Sequence, residues 1–480
     1  MYIIKKNKNN KWIIIKKGSK RATRIFDTKL EAIMYAKEKY PGNYEVIDDK
    51  PVEKAIKKNG KKPWFIILVI IFLLILAALG FAIYKGYITI PGLDLFNTND
   101  KDDTHNHSPN QAVEGVVYDD FQMHFLELGN EYTGDSTYIK AGDVDILIDA
   151  GSRKNSAVVI KEYVDKYCTD GKLEYVIATH AHQDHIAGFV GSKSGDTRTG
   201  IFYQYEIEVF IDFALSDVTS KLYTEEYVEG VEYLEDNGTK HYQANECWNE
   251  ENGAKKQYQI TDNVTMDILY NKFYFEKAED ENDYSVCTLF TYTEGSDSHR
   301  FMLTGDLEQE GEEALAEYYK TNGGLGHCDL FKAGHHGSFS STTECLLELI
   351  TPDVCTVCCC AGATEYTTDY TRTFPSQDFI NRISEYTDAV YVTTVYDKAN
   401  KKYASLNGTI IVSCKAADLA VACTNNNKKL KDSDWFNETI YYINDKDGDP
   451  IFFDDKNDVY YSASTEGAIA APQRVWPATQ

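Results

Sequence analysis

The chain has 480 residues, enough for two or three domains, and its 43% hydrophobic and 13% aromatic content provides for a sizeable core. That apolar content excludes simple disorder despite a formal net charge of −26. The charge is unevenly distributed: residues 1–91 hold 19 basic and 7 acidic residues, whereas residues 92–480 hold 30 basic and 68 acidic ones. This division indicates two parts of the chain with different partners or compartments.

Residues 1–52 have the pattern of a small, basic α+β domain. Two strand-like runs within 11–29 precede a helical pattern at 29–40 and a further strand-like run at 44–48. This ββαβ order resembles a small bacterial domain of unknown function, with Trp12 as its core anchor. Its positive charge suits contact with an anionic membrane surface.

Residues 63–85 are predicted to form a transmembrane helix. No charged residue occurs from Pro63 to Tyr84, and this length meets the roughly 20 residues needed to cross the hydrocarbon core. Lysines are concentrated before the stretch, at Lys54, Lys57, Lys58, Lys61 and Lys62. The positive-inside rule then predicts a single-pass protein of the cell membrane, with a cytoplasmic N-terminus and an extracytoplasmic remainder. A buried core helix is the alternative interpretation.

Composition also characterises the linker, the tail and the cysteines. Residues 92–117 are rich in Asn and Asp, which predicts a flexible linker, and residues 419–480 are typical of a polar C-terminal extension. Within it, Asp445–Asp449 loosely resembles a calcium loop, but its glycine is misplaced and an acidic turn is favoured. The cysteines number eleven, and the run Cys358–Cys360 is typical of a buried strand rather than of a disulfide framework.

Residues 118–418 combine strand-like and helical patterns and are predicted to form one domain. Strand-like runs dominate from Phe121 onward. Helical patterns lie between them at residues 157–168, 309–319, 343–350 and 376–386. Alternating strands and helices with two strand-rich halves predict a layered α/β sandwich.

A cluster of potential metal ligands follows the strand-like run at 173–179. The next six residues, HAHQDH, contain His180, His182, Asp184 and His185. His180 and His182 are placed to hold one metal ion, because imidazole suits zinc. Asp184 and His185 are placed to hold a second ion. Two ions about 3.5–4 Å apart can clamp a phosphoryl or carbonyl oxygen and activate water.

Two later segments offer the remaining ligands. The run "RFMLTGD" ends at Asp306, whose carboxylate can bridge two ions. The run "DLFKAGHH" ends at His335 and His336, one of which can complete the position held by Asp184 and His185.

These motifs resemble those of the metallo-β-lactamase superfamily, whose H-x-H-x-D-H signature occurs here unchanged. The closer resemblance is to the hydrolase domain of ComEC-type competence proteins, and it covers roughly residues 120–415. Corresponding motifs stand at Phe125–Gly129, Gly134–Ser136, Ile146–Gly151, His180–His185, Leu303–Asp306, His335–Ser338 and Gly408–Ile410. The resemblance implies an αββα four-layer sandwich and two divalent metal ions, zinc or alternatively manganese.

The resemblance also implies roles for individual residues. The metal ligands would be His180, His182, Asp184, His185, Asp306 and His335. His336 would lie close to the substrate and act in catalysis with Asp184, with the reverse assignment of His335 and His336 left open. Asp149 would orient the ligand loop, and Ser338 would help bind a phosphate oxygen.

The chain departs from the family pattern in several places. Glu131 to Thr133 are inserted, Phe374-Pro375 lacks the histidine of the family's Gly-His-Pro motif, and the multi-span channel of the competence proteins is absent. A third histidine for the first metal ion is not evident between residues 186 and 305, where His241 is a weak candidate. The remaining histidines His124, His299 and His327 are interpreted as structural.

The predicted function is a membrane-anchored, metal-dependent hydrolase, phosphodiesterase-like or nuclease-like, that uses a metal-bound hydroxide. The alternatives are hydrolysis of another ester, a lactam or a choline-bearing envelope substrate, and a non-catalytic single-pass sensor with a metal-binding outer domain. The acidic balance of residues 92–480 disfavours DNA as a partner, because nucleic acids are bound chiefly through Lys and Arg. A small phosphodiester or ester is therefore the predicted substrate.

Overall fold

The structure is a computed structural model that describes most of the chain between residues 112 and 438. The described residues are 2–6, 12–17, 22–26, 35–36, 39–40, 44–46, 112–367, 369, 371–397, 400, 402–438, 451–454, 459–462, 468–469 and 473–477. The predicted helix at 63–85, most of the predicted linker and the turn Asp445–Asp449 lie outside them. The chain divides into two compact units, Met1–His105 and Asn106–Gln480.

The predicted membrane localisation is corrected by the structure. Across the residues described above, no helix is long and apolar enough to cross a membrane. The longest helix there, Gln309–Thr321, has 13 residues, whereas a membrane span needs roughly 20. This finding overturns the prediction of a single-pass membrane protein with a cytoplasmic N-terminus.

The first unit contains a four-stranded sheet. Its strands are β1 Tyr2–Lys6, β2 Trp12–Lys16, β3 Ala22–Phe26 and β4 Tyr44–Val46. They are arranged in the order β3-β2-β1-β4, with β1 antiparallel to β2 and parallel to β4. The ββαβ prediction therefore missed the first strand, which is central in the sheet.

The second unit is a mixed α/β fold built on two large sheets. Its strands are β5 Val113–Glu114, β6 Phe121–Phe125, β7 Thr137–Ala141, β8 Val144–Ile148, β9 Lys172–Ile177, β10 Lys193–Ser194, β11 Thr197–Arg198, β12 Glu206–Asp212, β13 Lys240–Gln243, β14 Gln257–Gln259, β15 Val264–Ile268, β16 Thr288–Glu294, β17 Asp297–Leu303, β18 Leu330–Lys332, β19 Val354–Ala361, β20 Val390–Asp397, β21 Lys402–Ser405, β22 Ile410–Lys415, β23 Asp418–Cys423, β24 Ile451–Asp454, β25 Val459–Ser462 and β26 Ala468–Ile469. Nine strands form one sheet in the order β13-β12-β9-β8-β7-β6-β22-β23-β5, and eight form the other in the order β14 through β21. The nine-stranded sheet extends past both ends of the predicted 118–418 domain.

Helices connect and cover these strands. They are α1 Ser156–Val164, α2 Gln183–Val190, α3 Val228–Asp236, α4 Ala244–Asn249, α5 Gln309–Thr321, α6 Glu344–Ile350, α7 Gln377–Ile383 and α8 Asp434–Asn437, with a π-helical turn at Leu222–Tyr227. All four helical patterns predicted within residues 118–418 correspond to helices, namely α1, α5, α6 and α7.

The two sheets pack face to face, and the second also packs against helices on its outer side. The rings of Phe121 in β6 and Phe301 in β17 are 5.1 Å apart, which joins the sheets in one core. Because successive side chains of a strand point to opposite faces, β19 contributes Cys358 to that core and Cys359 to a second core shared with α6 and α7. All eight residues of β19 are buried, as the cysteine run predicted, and all eleven cysteines are free thiols.

Candidate functional site

The predicted ligand loop lies between the parallel strand β9 and helix α2. β9 is hydrogen-bonded on both sides by parallel neighbours, β8 and β12, which fixes the point where the loop begins. His180 and His185 are fully buried. Asp184 and His185 fall in the first turn of α2, and His182 is the residue that caps it. The loop therefore presents all four predicted ligands from a rigid strand end.

Asp149 holds this loop in place. It follows β8 and adopts a positive φ of 60°, a conformation that non-glycine residues rarely adopt. Its carboxylate accepts hydrogen bonds from the Thr179 backbone N–H and hydroxyl, both at 2.8 Å. Its Oδ2 is also 2.7 Å from Nδ1 of His185. With Nδ1 engaged in this way, Nε2 of His185 is the atom that faces the site.

Asp306 meets His185 at the centre of the site. Its Oδ2 lies 3.0 Å from Nε2 of His185 and 3.2 Å from Nε2 of His336. Gly305, at φ 57°, makes this approach possible, because a Cβ there would come within 2.9 Å of Thr179 and Ser285. The distant run ending at Asp306 is thus brought to the ligand loop.

The paired histidines face opposite ways, and His336 rather than the favoured His335 faces the other candidate ligands. His336 is fully buried and directs Nε2 to Asp184 Oδ2 at 3.4 Å, while its Nδ1 is 2.8 Å from the carbonyl oxygen of Cys358. His335 instead lies beside Glu308, with Nδ1 2.8 Å from Oε1. Both histidines have positive φ, 44° and 54°, and this tight turn swings the second side chain inward. His336, not His335, therefore stands among the candidate ligands.

Four of the candidate ligands converge on one point. One ligand atom from each of Asp184, His185, Asp306 and His336 lies within 4.8 Å of all the others. Nε2 of His336 has no well-formed hydrogen bond, and neither has Oδ1 of Asp306, although both atoms are buried. Carboxylates and imidazoles with unsatisfied buried atoms are the donor set of a divalent cation, so these residues fit a metal ion.

His180 and His182 form a second position beside the first. Nε2 of His180 is 3.1 Å from Nδ1 of His182, and the His180 and His185 rings are 4.2 Å apart. The candidate third ligand, His241, is elsewhere: it lies on β13, where its ring nitrogens contact Asp212 and Glu235 at 2.9 and 2.8 Å. The side chain that does reach His182 is Asn282, with Oδ1 2.7 Å from Nδ1.

The charges in the site support ligation by imidazole. Burial and the neighbouring His185 lower the pKa of His180 well below its usual value, which keeps this ring neutral. Burial opposes protonation of His185 and His336, but Asp306 raises the pKa of each well above its usual value. The charges of the same two histidines outweigh burial and lower the pKa of Asp306. A divalent cation would replace these shared protons, because it binds the same lone pairs.

A buried ion pair that the sequence did not reveal lies next to His336. Lys332, at the end of β18, is 2% exposed and forms an ion pair with Asp135. Its ammonium also donates to the carbonyl oxygens of Ala333 at 3.1 Å and Gly305 at 3.3 Å. Burial lowers the pKa of Lys332, but Asp135 and Asp306 reverse the effect and keep it charged. Asp135 lies 3.2 Å from Nδ1 of His336, so the pair helps orient that ring.

The rim of the site is aromatic. The hydroxyl of Tyr366 donates to Asp184 Oδ2 at 3.0 Å, although the residue is 57% exposed. The ring of Phe374 lies 5.7 Å from that of His336 and 5.6 Å from that of Tyr366. Ser338, the predicted phosphate contact, is buried and its hydroxyl is 2.9 Å from that of Ser340. A substrate would reach the ligand cluster past Tyr366 and Phe374.

Comparison with known proteins gives two sequence matches. Residues 129–194, which include the ligand loop, match the profile described as "Metallo-beta-lactamase superfamily". Residues 2–59 match the profile "Uncharacterized protein conserved in bacteria (DUF2188)". No curated protein matches the chain significantly.

Solved structures similar to the chain include three hydrolases. A probable metal-dependent hydrolase from Staphylococcus aureus is 15% identical over 40% of this chain and 74% of its own, with a TM-score of 0.23. Metallo-β-lactamase SMB-1 is 12% identical over 47% of this chain and 81% of its own, with a TM-score of 0.29. An N-acyl homoserine lactone hydrolase is 12% identical over 40% of this chain and 76% of its own, with a TM-score of 0.23. At such TM-scores these similarities carry no argument about activity.

The profile match and the geometry lead to the same class of protein. The match covers the whole H-x-H-x-D-H loop, and four potential ligands from three segments converge on it. Together they support a metal-dependent hydrolase of the metallo-β-lactamase superfamily. The resemblance to the ComEC-type proteins stays a prediction.

Proposed function

We propose that the second unit is a phosphodiesterase that works with two divalent metal ions, zinc or alternatively manganese. The observation that carries this proposal is the convergence of Asp184, His185, Asp306 and His336 beside the pair His180 and His182. When bound, such ions activate a water molecule and stabilise charge on a phosphoryl oxygen.

The chain's own residues have separate tasks in this proposal. His180 and His182 would hold one ion, and Asp184, His185, Asp306 and His336, whose ligand atoms lie within 4.8 Å of one another, would hold the other. Asp184 also bonds Tyr366 at the rim. The phenol can therefore move from the carboxylate to a substrate oxygen as the substrate enters, since it is more than half exposed.

The charge around the rim favours a small substrate over a long nucleic acid. Arg153 is paired at 3.0 Å with Glu365, the residue before Tyr366, and covers the ring of Tyr132 at 3.5 Å. It is not free to bind a phosphate backbone, and the chain carries a net charge of −26. Nucleic-acid affinity comes chiefly from neutralising phosphates. A small or partly cationic phosphodiester fits these charges better.

The test is a substrate panel with the full chain. Three substrates are compared: bis(p-nitrophenyl) phosphate, p-nitrophenyl acetate and nitrocefin. Each is incubated, with zinc or manganese added, with the wild type, with Asp306→Asn and with the exposed-site control Asn322→Ala. We expect phosphodiester hydrolysis to be fastest and to be lost in Asp306→Asn but retained in the control. Preferential cleavage of the acetate or of nitrocefin would reassign the substrate class. A folded, metal-loaded chain that cleaves none of them would contradict the enzymatic proposal.

A further inference from the structure

We infer that Asn282 supplies, through its amide oxygen, the third protein ligand of the metal position held by His180 and His182. The inference rests on the proposed two-metal centre and names a residue in a segment without a metal-binding motif. Asn282 lies in the short 3-10 turn Glu281–Tyr284 that leads into β16. This is the segment in which no suitable histidine occurs.

Two short distances link three potential ligand atoms at this position. Oδ1 of Asn282 is 2.7 Å from Nδ1 of His182, which is itself 3.1 Å from Nε2 of His180. Two atoms that share one ion at about 2.0–2.1 Å are separated by roughly 3 Å. The spacing therefore matches atoms arranged around a common cation. Asn282 is 4% exposed, so its oxygen is withheld from bulk water.

The orientation of the amide is fixed by Glu308. Nδ2 of Asn282 donates to Oε1 of Glu308 at 3.2 Å, and a carboxylate can only accept. Glu308 is in turn held by the Ser340 hydroxyl at 2.9 Å and by His335 Nδ1 at 2.8 Å. The –NH₂ end is thereby committed to Glu308, and the carbonyl end must face the histidines. The turn itself is fixed, because Asp280 Oδ1 accepts from the Asn282 backbone N–H at 3.0 Å.

The nature of the ligand has a consequence for the metal. An amide oxygen is a harder donor than imidazole, and oxygen donors favour manganese or magnesium relative to zinc. A chain with Asn at this position should accept manganese more readily than a variant with histidine there. The competing explanation is that Oδ1 only accepts a hydrogen bond from Nδ1–H of His182 and orients the ring. That role changes metal affinity without changing the ligand atoms.

The experiment measures metal binding by the full chain rather than activity. Wild type, Asn282→Ala, Asn282→His and the control Asn322→Ala are titrated with Mn²⁺, Zn²⁺ and Co²⁺ by calorimetry, and the absorption spectrum of the Co²⁺ form is recorded. A thermal unfolding scan confirms that each variant is folded. Glu308→Ala is added, because it keeps Asn282 but frees its amide to rotate.

We expect wild type and the control to bind two ions, and Asn282→Ala to bind one of them at least about 100-fold more weakly. Asn282→His should restore the second ion, raise the Zn²⁺ over Mn²⁺ preference about 10-fold or more, and change the Co²⁺ spectrum. Glu308→Ala should weaken the same ion. The inference about Asn282 would be overturned if Asn282→Ala bound two ions with unchanged affinity. It would also be overturned if Asn282→His had an unchanged Co²⁺ spectrum and an unchanged preference between Zn²⁺ and Mn²⁺. Neither result would overturn the proposed metal centre. A wild-type chain that binds no ion would overturn the proposed metal centre instead.

Discussion

His336 Nε2 lies 3.2 Å from Asp306 Oδ2, and both side chains are buried. The preceding residue, His335, points away from this pair, and its Nδ1 lies 2.8 Å from Oε1 of Glu308. One turn with two positive φ angles thus separates two identical side chains into different environments. The two histidines should therefore respond very differently to substitution.

His336→Ala should remove metal and activity together, whereas His335→Ala should retain its metal. The first change deletes an imidazole that faces two carboxylates, and the loss of a direct ligand exceeds the roughly 10–100-fold that outer contacts contribute to affinity. Metal content after dialysis and the rate of bis(p-nitrophenyl) phosphate hydrolysis check this for both variants. Equal metal loss in the two variants would contradict the assignment of His336.

Asp149→Asn should weaken metal binding without unfolding the domain. The carboxylate holds both the Thr179 backbone and Nδ1 of His185, and an amide cannot accept from all of these donors. We expect about a 10–100-fold lower metal affinity, measured by chelator competition. Asp143→Asn, in the exposed turn between β7 and β8, is the matched control and should bind like the wild type.

Lys332→Met should destabilise the fold strongly. Removing the ammonium leaves the buried Asp135 carboxylate without its counter-charge, and breaking a buried pair costs about 3–5 kcal/mol. The double variant Asp135→Asn/Lys332→Met removes both charges and should recover part of that loss. Urea unfolding of the two single variants, the double variant and the wild type gives the coupling free energy. A coupling free energy near zero would show that the pair is not buried as described.

His241→Gln should lower stability at acidic and neutral pH but not at pH 10. Burial lowers the pKa of His241, but Asp212 and Glu235 more than compensate and raise it to about 9. Its unfolded pKa is near 6.5, so the stabilisation is complete below about pH 6.5 and is lost as the pH rises through 9. We expect a difference of about 1–3 kcal/mol in the free energy of unfolding at pH 6. A difference in the free energy of unfolding that is the same at pH 6 and pH 10 would contradict the ion pair. The metal content of the variant should equal that of the wild type.

The sequence predicted the position of the loop well, because its four candidate ligands stand within six residues after a clear strand pattern. It also predicted that Asp306 and the histidine pair come from later strand ends, which meet the loop at one edge of the sheets. It could not decide between His335 and His336, because their directions depend on the left-handed backbone conformation of the two histidines themselves. Non-glycine residues rarely adopt that conformation, so the sequence does not indicate it.

Two other contacts left no signal in a single sequence. Lys332 belongs to a short strand in which a charge normally indicates exposure, and only its pairing with Asp135 explains its burial. Its partner Asp135 lies in the motif Gly134–Ser136, but that motif does not identify the lysine that pairs with it. Asn282 lies in a long segment without periodicity, and only folding brings its amide to His182.

The most direct test of the metal centre is anomalous diffraction from crystals of the full chain grown with Zn²⁺ or Mn²⁺. Data recorded on both sides of each absorption edge locate the ions without reference to activity. We expect one peak among Asp184, His185, Asp306 and His336 and a second beside His180 and His182. Well-ordered crystals with no peak at these residues, or with ions only at another cluster such as His327, Asp329 and Asp353, would contradict the account.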